Sequence, residues 1–88
     1  MRINPKYKVR KVAENNIVLI QGRNPGDMTS VVALNDTSLF LWNNLKGLDF
    51  EVEDITNLLV EQFDVDADVA AKDAAAWVET LKQHYIFD

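Results

Sequence analysis

Hydrophobic and polar residues alternate along the first third of the chain, a spacing typical of β-strands with one buried face. Residues 8–12 alternate cations with valine, and residues 16–21 form a second short run rich in β-branched and aliphatic side chains. Residues 14–16 are expected to form the turn between them, and glycine and proline at residues 22–27 predict a longer turn. With a third strand expected at residues 29–34, the pattern predicts a small antiparallel sheet.

The spacing of the apolar residues becomes helical after residue 34. Asn35 is a favourable N-cap, and a first helix is expected to follow it and to end at Gly47. A second helix is expected from about Val52, with acidic residues in its first turn that complement the helix dipole. The apolar stripes of these two helices are Leu39, Trp42 and Leu45 in the first, and Val52, Ile55, Leu59 and Phe63 in the second.

The third predicted helix is the longest and follows an acidic connector at residues 64–68. Its apolar residues share one face: Ala70, Ala74, Trp77, Val78 and Leu81. Both tryptophans lie on such stripes, which favours packing in the core over a role in a ligand site. If Trp77 lies at the rim of the core, its indole would also line a groove. Residues 85–87 form an apolar tail expected to pack on the core.

The order of these elements predicts one domain across residues 1–88 with an α+β fold. A three-stranded antiparallel N-terminal sheet followed by three helices has the proportions of a winged helix-turn-helix. The 88 residues include no cysteine, which excludes disulfides, thiolate metal ligands and a cysteine nucleophile. No apolar run is long enough to span a bilayer, and no signal peptide is recognisable, so a cytoplasmic location without a membrane partner is expected.

Catalysis lacks the residues that it needs. His84 is the single histidine, near the end of the last predicted helix, where it is more typical of a C-terminal cation than of a general base. Ser30 and Ser38 have no nucleophile motif around them, and the three glycines form no phosphate-binding loop. We therefore expect a protein that is not an enzyme and has no cofactor.

One stretch has the beginning of a calcium-binding loop. Asp64, Asp66 and Asp68 match its first, third and fifth positions. Val69 and Ala75 then stand where the loop requires glycine and a bidentate glutamate. The aspartates are better explained as a turn with several competing N-caps, so no metal site is expected.

The formal net charge of −5 is unevenly distributed. Residues 1–23 carry six cations and one acid, for a net +5, whereas the remainder carries three lysines and thirteen acids, for a net −10. A winged-helix nucleic-acid binder would insert the third helix into the major groove. That helix and its connector, residues 64–79, carry five acids and one lysine, which would repel phosphates and disfavours nucleic acid as the partner.

The remaining class is a protein-interaction module. A three-stranded sheet has two edges, and an exposed edge presents unpaired N–H and C=O groups that an extended peptide can pair with as an added strand. Such a binder needs no conspicuous motif, because the main chain supplies much of the affinity. A general protein-interaction domain, or a homodimer formed through the same exposed strand, stays open as an alternative.

Several short motifs from Leu34 to the C-terminus occur together in one known family. They are Leu34-Asn35-Asp36-Thr37, Leu41-Trp42 with Leu45 and Gly47, Val52-Glu53-Asp54-Ile55, Phe63-Asp64-Val65-Asp66, and Asp73 followed by Trp77-Val78 and Leu81. By these motifs the chain resembles the PqqD-like family of leader-peptide recognition domains, which serve ribosomally synthesised and post-translationally modified peptides. Tyr85 departs from the family pattern, which usually has glycine in this closing turn.

The resemblance implies a non-catalytic peptide chaperone. The leader of a precursor peptide would add as a strand beside residues 29–34, in a cleft walled by residues 69–80, while a separate enzyme, often a radical SAM protein, modifies the peptide. Pyrroloquinoline quinone, a lasso peptide or a radical-modified peptide are the products that such a domain serves. The peptide-binding residues implied are Thr29, Val31 and Ala33 on the strand, with Val69, Lys72, Asp73 and Ala76 on the helix.

Overall fold

The computed structural model describes residues 1–20 and 30–87, with the backbone alone at Ser30. Three strands, β1 (Val9–Val12), β2 (Asn15–Ile20) and β3 (Ser30–Leu34), form an antiparallel sheet in the order β1-β2-β3. Thr29, at the start of the predicted third strand, and the turn predicted at residues 22–27 lie outside the described residues. The rest of the predicted sheet is confirmed.

The first hairpin turn differs from its prediction by one to two residues. Val12 pairs with Asn15, so the turn consists of Ala13 and Glu14 and not of residues 14–16. Ala13 adopts a positive φ of 55°, which permits a tight two-residue turn. Asparagine is a common turn residue, but here the pairing of β1 with β2 draws both asparagines into β2.

The predicted helices are confirmed as α1 (Asp36–Leu45), α2 (Val52–Phe63) and α3 (Ala67–Gln83). Asn35 caps α1, since its side-chain Oδ1 accepts a hydrogen bond from the Ser38 amide at 2.8 Å. At the start of α2, the Asp54 carboxylate accepts a hydrogen bond from the Glu51 amide at 2.8 Å. The α+β order of a sheet followed by three helices is therefore as expected.

At the junction between α2 and α3, Asp64 and Asp66 have different structural roles. Asp64 ends α2 in the left-handed conformation, with φ 52°, and its amide donates to the Val60 carbonyl. Asp66 takes the N-cap position of α3. In the described part of the chain, no three histidine, aspartate or glutamate residues lie close enough together to hold a metal ion.

The core lies between one face of the sheet and the helices. Strand β3 contributes Val32 and Leu34 to it, and α2 packs against α3. Its largest fully buried side chains are Leu41, Ile55, Leu81, Ile86 and Val18. None of the helices described here is both long and apolar enough to cross a membrane.

The C-terminal tail returns to the core as expected. Ile86 is fully buried, and its carbonyl accepts a hydrogen bond from the Asn4 amide at 2.9 Å. Tyr85 turns the chain with a φ of 57°, a left-handed conformation that glycine adopts at lower cost. Tyr85, which stands where the resemblance led us to expect glycine, thus adopts a conformation that glycine would favour.

Candidate functional site

Strand β3 is an open edge of the sheet. It pairs with β2 on one side, and none of the described strands pairs with it on the other. An open edge presents the N–H and C=O groups that point away from the sheet, and alternate residues of a strand provide them. The register of β3 with β2 determines which residues of β3 present these groups.

The two-residue turn between β1 and β2 sets the hydrogen-bonding pattern of the whole sheet. Val12 and Asn15 form the residue pair that closes this turn. In a two-residue turn this pair exchanges both main-chain hydrogen bonds, so the N–H and C=O groups of Asn15 point to β1. Because these groups alternate along a strand, Asn16 and Val18 direct theirs to β3, where they face Leu34 and Val32.

It follows that Val31 and Ala33 direct their N–H and C=O groups away from β2, towards the open edge. Their side chains are exposed, Val31 by 53%, and lie on the sheet face opposite the core. The neighbouring Val32 and Leu34 are buried. The two strand residues predicted as binding residues therefore offer their backbone to the edge, while their side chains point to the outer face of the sheet.

A groove of about 420 Å³ begins where β3 ends, because Asn35 directly follows Leu34. One wall is the start of α1, the floor includes one residue of α2, and the other wall is the middle of α3. The lining residues are Asn35, Thr37, Ser38, Leu41, Leu59, Asp73, Ala76, Trp77 and Thr80.

The α3 wall contains two of the predicted binding residues. Asp73 and Ala76 line the groove, and Thr80 continues the same stripe one turn further along the helix. Val69 lies one turn before Asp73 and is 48% exposed, but it is not among the lining residues. Lys72 is exposed and also lies outside the lining.

Trp77 lies at the rim of the core and lines the groove, as was expected for a tryptophan in that position. Its ring is half-buried against the core, and its indole Nε1 is buried without a hydrogen-bond acceptor among the residues described. A buried donor without an acceptor costs about 1–3 kcal/mol relative to a satisfied one. This donor is enclosed by the protein, so Trp77 offers the groove the apolar surface of its ring.

The other polar groups of the groove are hydroxyls, an amide and one carboxylate. The Thr80 hydroxyl donates to the Ala76 carbonyl at 3.0 Å, which leaves its lone pairs available as acceptors. Asp73 is the single charged residue of the lining. Thr80 ends the wall predicted at residues 69–80, although it was not named as a binding residue. Sequence reasoning missed Thr37 and Ser38, which only the approach of α1 to α3 brings into the site.

A larger open cavity of about 570 Å³ lies on the other side of the molecule, between the N-terminal segment and α1. Its lining includes Tyr7, Trp42 and the cations Lys8 and Lys46. The adjacent edge strand β1 carries Arg10 and Lys11, and cations on an edge discourage the addition of another strand. The smaller groove beside β3 is therefore the better candidate for peptide binding.

The family model for coenzyme PQQ synthesis protein D (PqqD) matches residues 16–86, which include β2 except Asn15, β3, all three helices and every residue of the groove. No curated protein and no solved structure gives a significant match to the chain.

Proposed function

The chain belongs to the PqqD family, and we propose that it binds the leader of a precursor peptide as an added strand on β3 and presents it to a modifying enzyme. On this proposal it is a non-catalytic accessory protein of PQQ biosynthesis. The observation that carries the proposal is the open edge of β3, with Val31 and Ala33 directed outwards, beside the groove.

The edge and the groove supply complementary parts of a peptide site. The outward N–H and C=O groups of Val31 and Ala33 would pair with the main chain of the peptide, which gives affinity independent of its sequence. An added strand lies about 4.8 Å from its neighbour, and alternate side chains point to the same face. Side chains on the core-facing side of the peptide would then occupy the groove against Trp77 and Ala76.

The charge distribution supports a peptide over a nucleic acid at this site. The groove lining includes Asp73 and no cation, and the first turn of α3 adds Asp68. Phosphate groups would be repelled there, because nucleic-acid binding depends on cations that displace counterions.

Presentation to an enzyme follows from tethering. A domain that holds the leader keeps the remainder of the precursor near an enzyme bound to the same complex, at an effective concentration of about millimolar for short linkers. A radical SAM protein is the enzyme class proposed. The domain itself would then need no cofactor.

Amide hydrogen exchange measured by NMR tests the binding mode residue by residue. In the free protein, the amides of Val31 and Ala33 should exchange quickly and that of Val32 slowly, because Val32 is paired with Val18. On addition of the leader peptide of a candidate precursor, Val31 and Ala33 should become protected by at least tenfold. Val32 should change little.

The opposite edge provides an internal control for this experiment. Val9 and Lys11 direct their main-chain groups outwards from β1, as Val31 and Ala33 do from β3. Their exchange should be unaffected by the peptide. Protection at β1 with none at β3, or chemical-shift changes confined to residues outside both β3 and the groove, would refute strand addition on β3.

A further inference from the structure

Asp73 is the one charged group in the groove, and no described residue pairs with it. Neither a hydrogen bond nor an ion pair engages its carboxylate among residues 1–20 and 30–87. Its lysine neighbour in sequence, Lys72, lies outside the lining. A ligand in the groove therefore meets one uncompensated negative charge and no positive one.

The lining includes an apolar patch one helical turn further along α3. Trp77 follows Asp73 by four residues, and Leu41, Leu59 and Ala76 complete the apolar part of the lining. Four residues of an α-helix rise about 6.0 Å, and two residues of a strand rise about 6.6 Å. A strand added along α3 would thus place two side chains of one face at nearly the spacing of Asp73 and Trp77.

We propose that the groove selects a peptide segment in which lysine or arginine and an aliphatic or aromatic residue are two positions apart. The cationic side chain would pair with Asp73, and the apolar one would pack on Trp77, with both directed to the core-facing side of the added strand. This specificity rests on the proposed function, because it requires the peptide to bind as a strand beside β3.

Selection from a random peptide library tests this specificity and does not require the natural precursor. Peptides of about ten residues are displayed and selected on the immobilised protein, and each is retested on an Ala33→Pro variant. Proline at this position removes an outward N–H that the β2 ladder does not use, so it should block strand addition and leave the sheet intact. Peptides that lose binding to this variant are those that use the edge.

Among these edge-dependent peptides, lysine or arginine should be enriched two positions from an apolar residue. A parallel selection on an Asp73→Asn variant should keep the apolar position and lose the cationic one. For one selected peptide, replacing the cation with methionine should weaken binding to the wild-type protein by about two- to fivefold, the range of exposed ion pairs. The same replacement should have no effect on the Asp73→Asn variant.

The outcomes separate the two proposals. If no selected peptide depends on the edge, strand addition on β3 is wrong. If edge-dependent peptides are found without cationic enrichment, or with enrichment that persists on Asp73→Asn, strand addition stands and the role of Asp73 is wrong.

Discussion

The two open edges of the sheet present the same kind of backbone groups in very different surroundings. On β1, Val9 and Lys11 direct their N–H and C=O groups outwards, and on β3, Val31 and Ala33 do so. The β1 edge carries the cationic side chains of this region, whereas the β3 positions are small or aliphatic and lead into the groove. On the proposed function, this difference is the reason that the peptide would add to β3 and not to β1.

The same comparison gives the basic N-terminal third a structural explanation. Long cationic side chains on an edge strand repel a second copy of the same edge and cover its backbone. The two cations of β1, Arg10 and Lys11, therefore need no anionic partner to account for them. It is sufficient that they keep this edge unpaired.

Of the changes considered, a proline substitution at each edge should give the largest difference in peptide affinity between β1 and β3. Ala33→Pro and Lys11→Pro each remove one outward N–H and leave the ladder of β2 intact. Affinity for the leader peptide of a candidate precursor, measured by fluorescence anisotropy, should fall more than tenfold for Ala33→Pro and change less than twofold for Lys11→Pro. Circular dichroism should show that both variants are folded.

Equal losses from the two prolines would mean that the substitution acts by general disruption of the sheet. A loss confined to Lys11→Pro would assign the peptide to β1 and overturn the comparison.

The helices were predictable from the sequence because local signals determine where they begin and end. Asn35 caps α1 and Gly47 follows its end with a φ of 81°, both as local residue preferences indicate. The hairpin turn was predicted at residues 14–16 and formed at Ala13 and Glu14, because pairing between strands overrode the turn preference of the asparagines.

The residues of the candidate site could be predicted only in part, because the sequence of β3 does not show which of its residues contribute to the open edge. Asp73 and Ala76 are found from the family pattern and share one helical stripe. Alternation in β3 could not show which face is buried, because Val31, Val32, Ala33 and Leu34 are all apolar. Only the register with β2 reveals that Val31 and Ala33 contribute backbone groups to the edge.

The two tryptophans should respond differently to substitution by phenylalanine. Trp77→Phe removes the indole donor that has no acceptor, so the free energy of unfolding should stay within about 1 kcal/mol of the wild-type value. Trp42 is 2% exposed and lines the cavity on the β1 side, so Trp42→Phe should cost about 2 kcal/mol through the void it creates. Urea denaturation measures both.

Peptide affinity should show the opposite order for these variants. Trp77→Phe should weaken binding by about two- to fivefold, because the smaller ring offers less apolar surface to a peptide side chain in the groove. Trp42→Phe should leave the affinity of the folded protein unchanged. A Trp77→Phe variant that binds as tightly as the wild type would show that the peptide does not pack on this ring.

The closing turn at Tyr85 should affect stability and not binding. The tail that follows it pairs with the N-terminal segment through Ile3 and Phe87, away from the β3 groove. Tyr85→Gly should raise the free energy of unfolding by about 1 kcal/mol relative to Tyr85→Ala, because both remove the side chain and only glycine relieves the left-handed conformation. Peptide affinity should be equal in the two variants; a difference would connect the tail to the groove.

The smallest effect is expected from removing the charges that protect β1. Replacing Arg10 and Lys11 together with threonine keeps strand propensity and makes this edge resemble β3. Weak self-association should then appear near millimolar protein in sedimentation velocity, while the wild type stays monomeric at the same concentration. A double replacement of Lys72 and Lys82 with threonine removes the same charge from α3 and should not associate. If this control self-associates equally, removing cations from any part of the surface is sufficient, and Arg10 and Lys11 have no special role at the β1 edge.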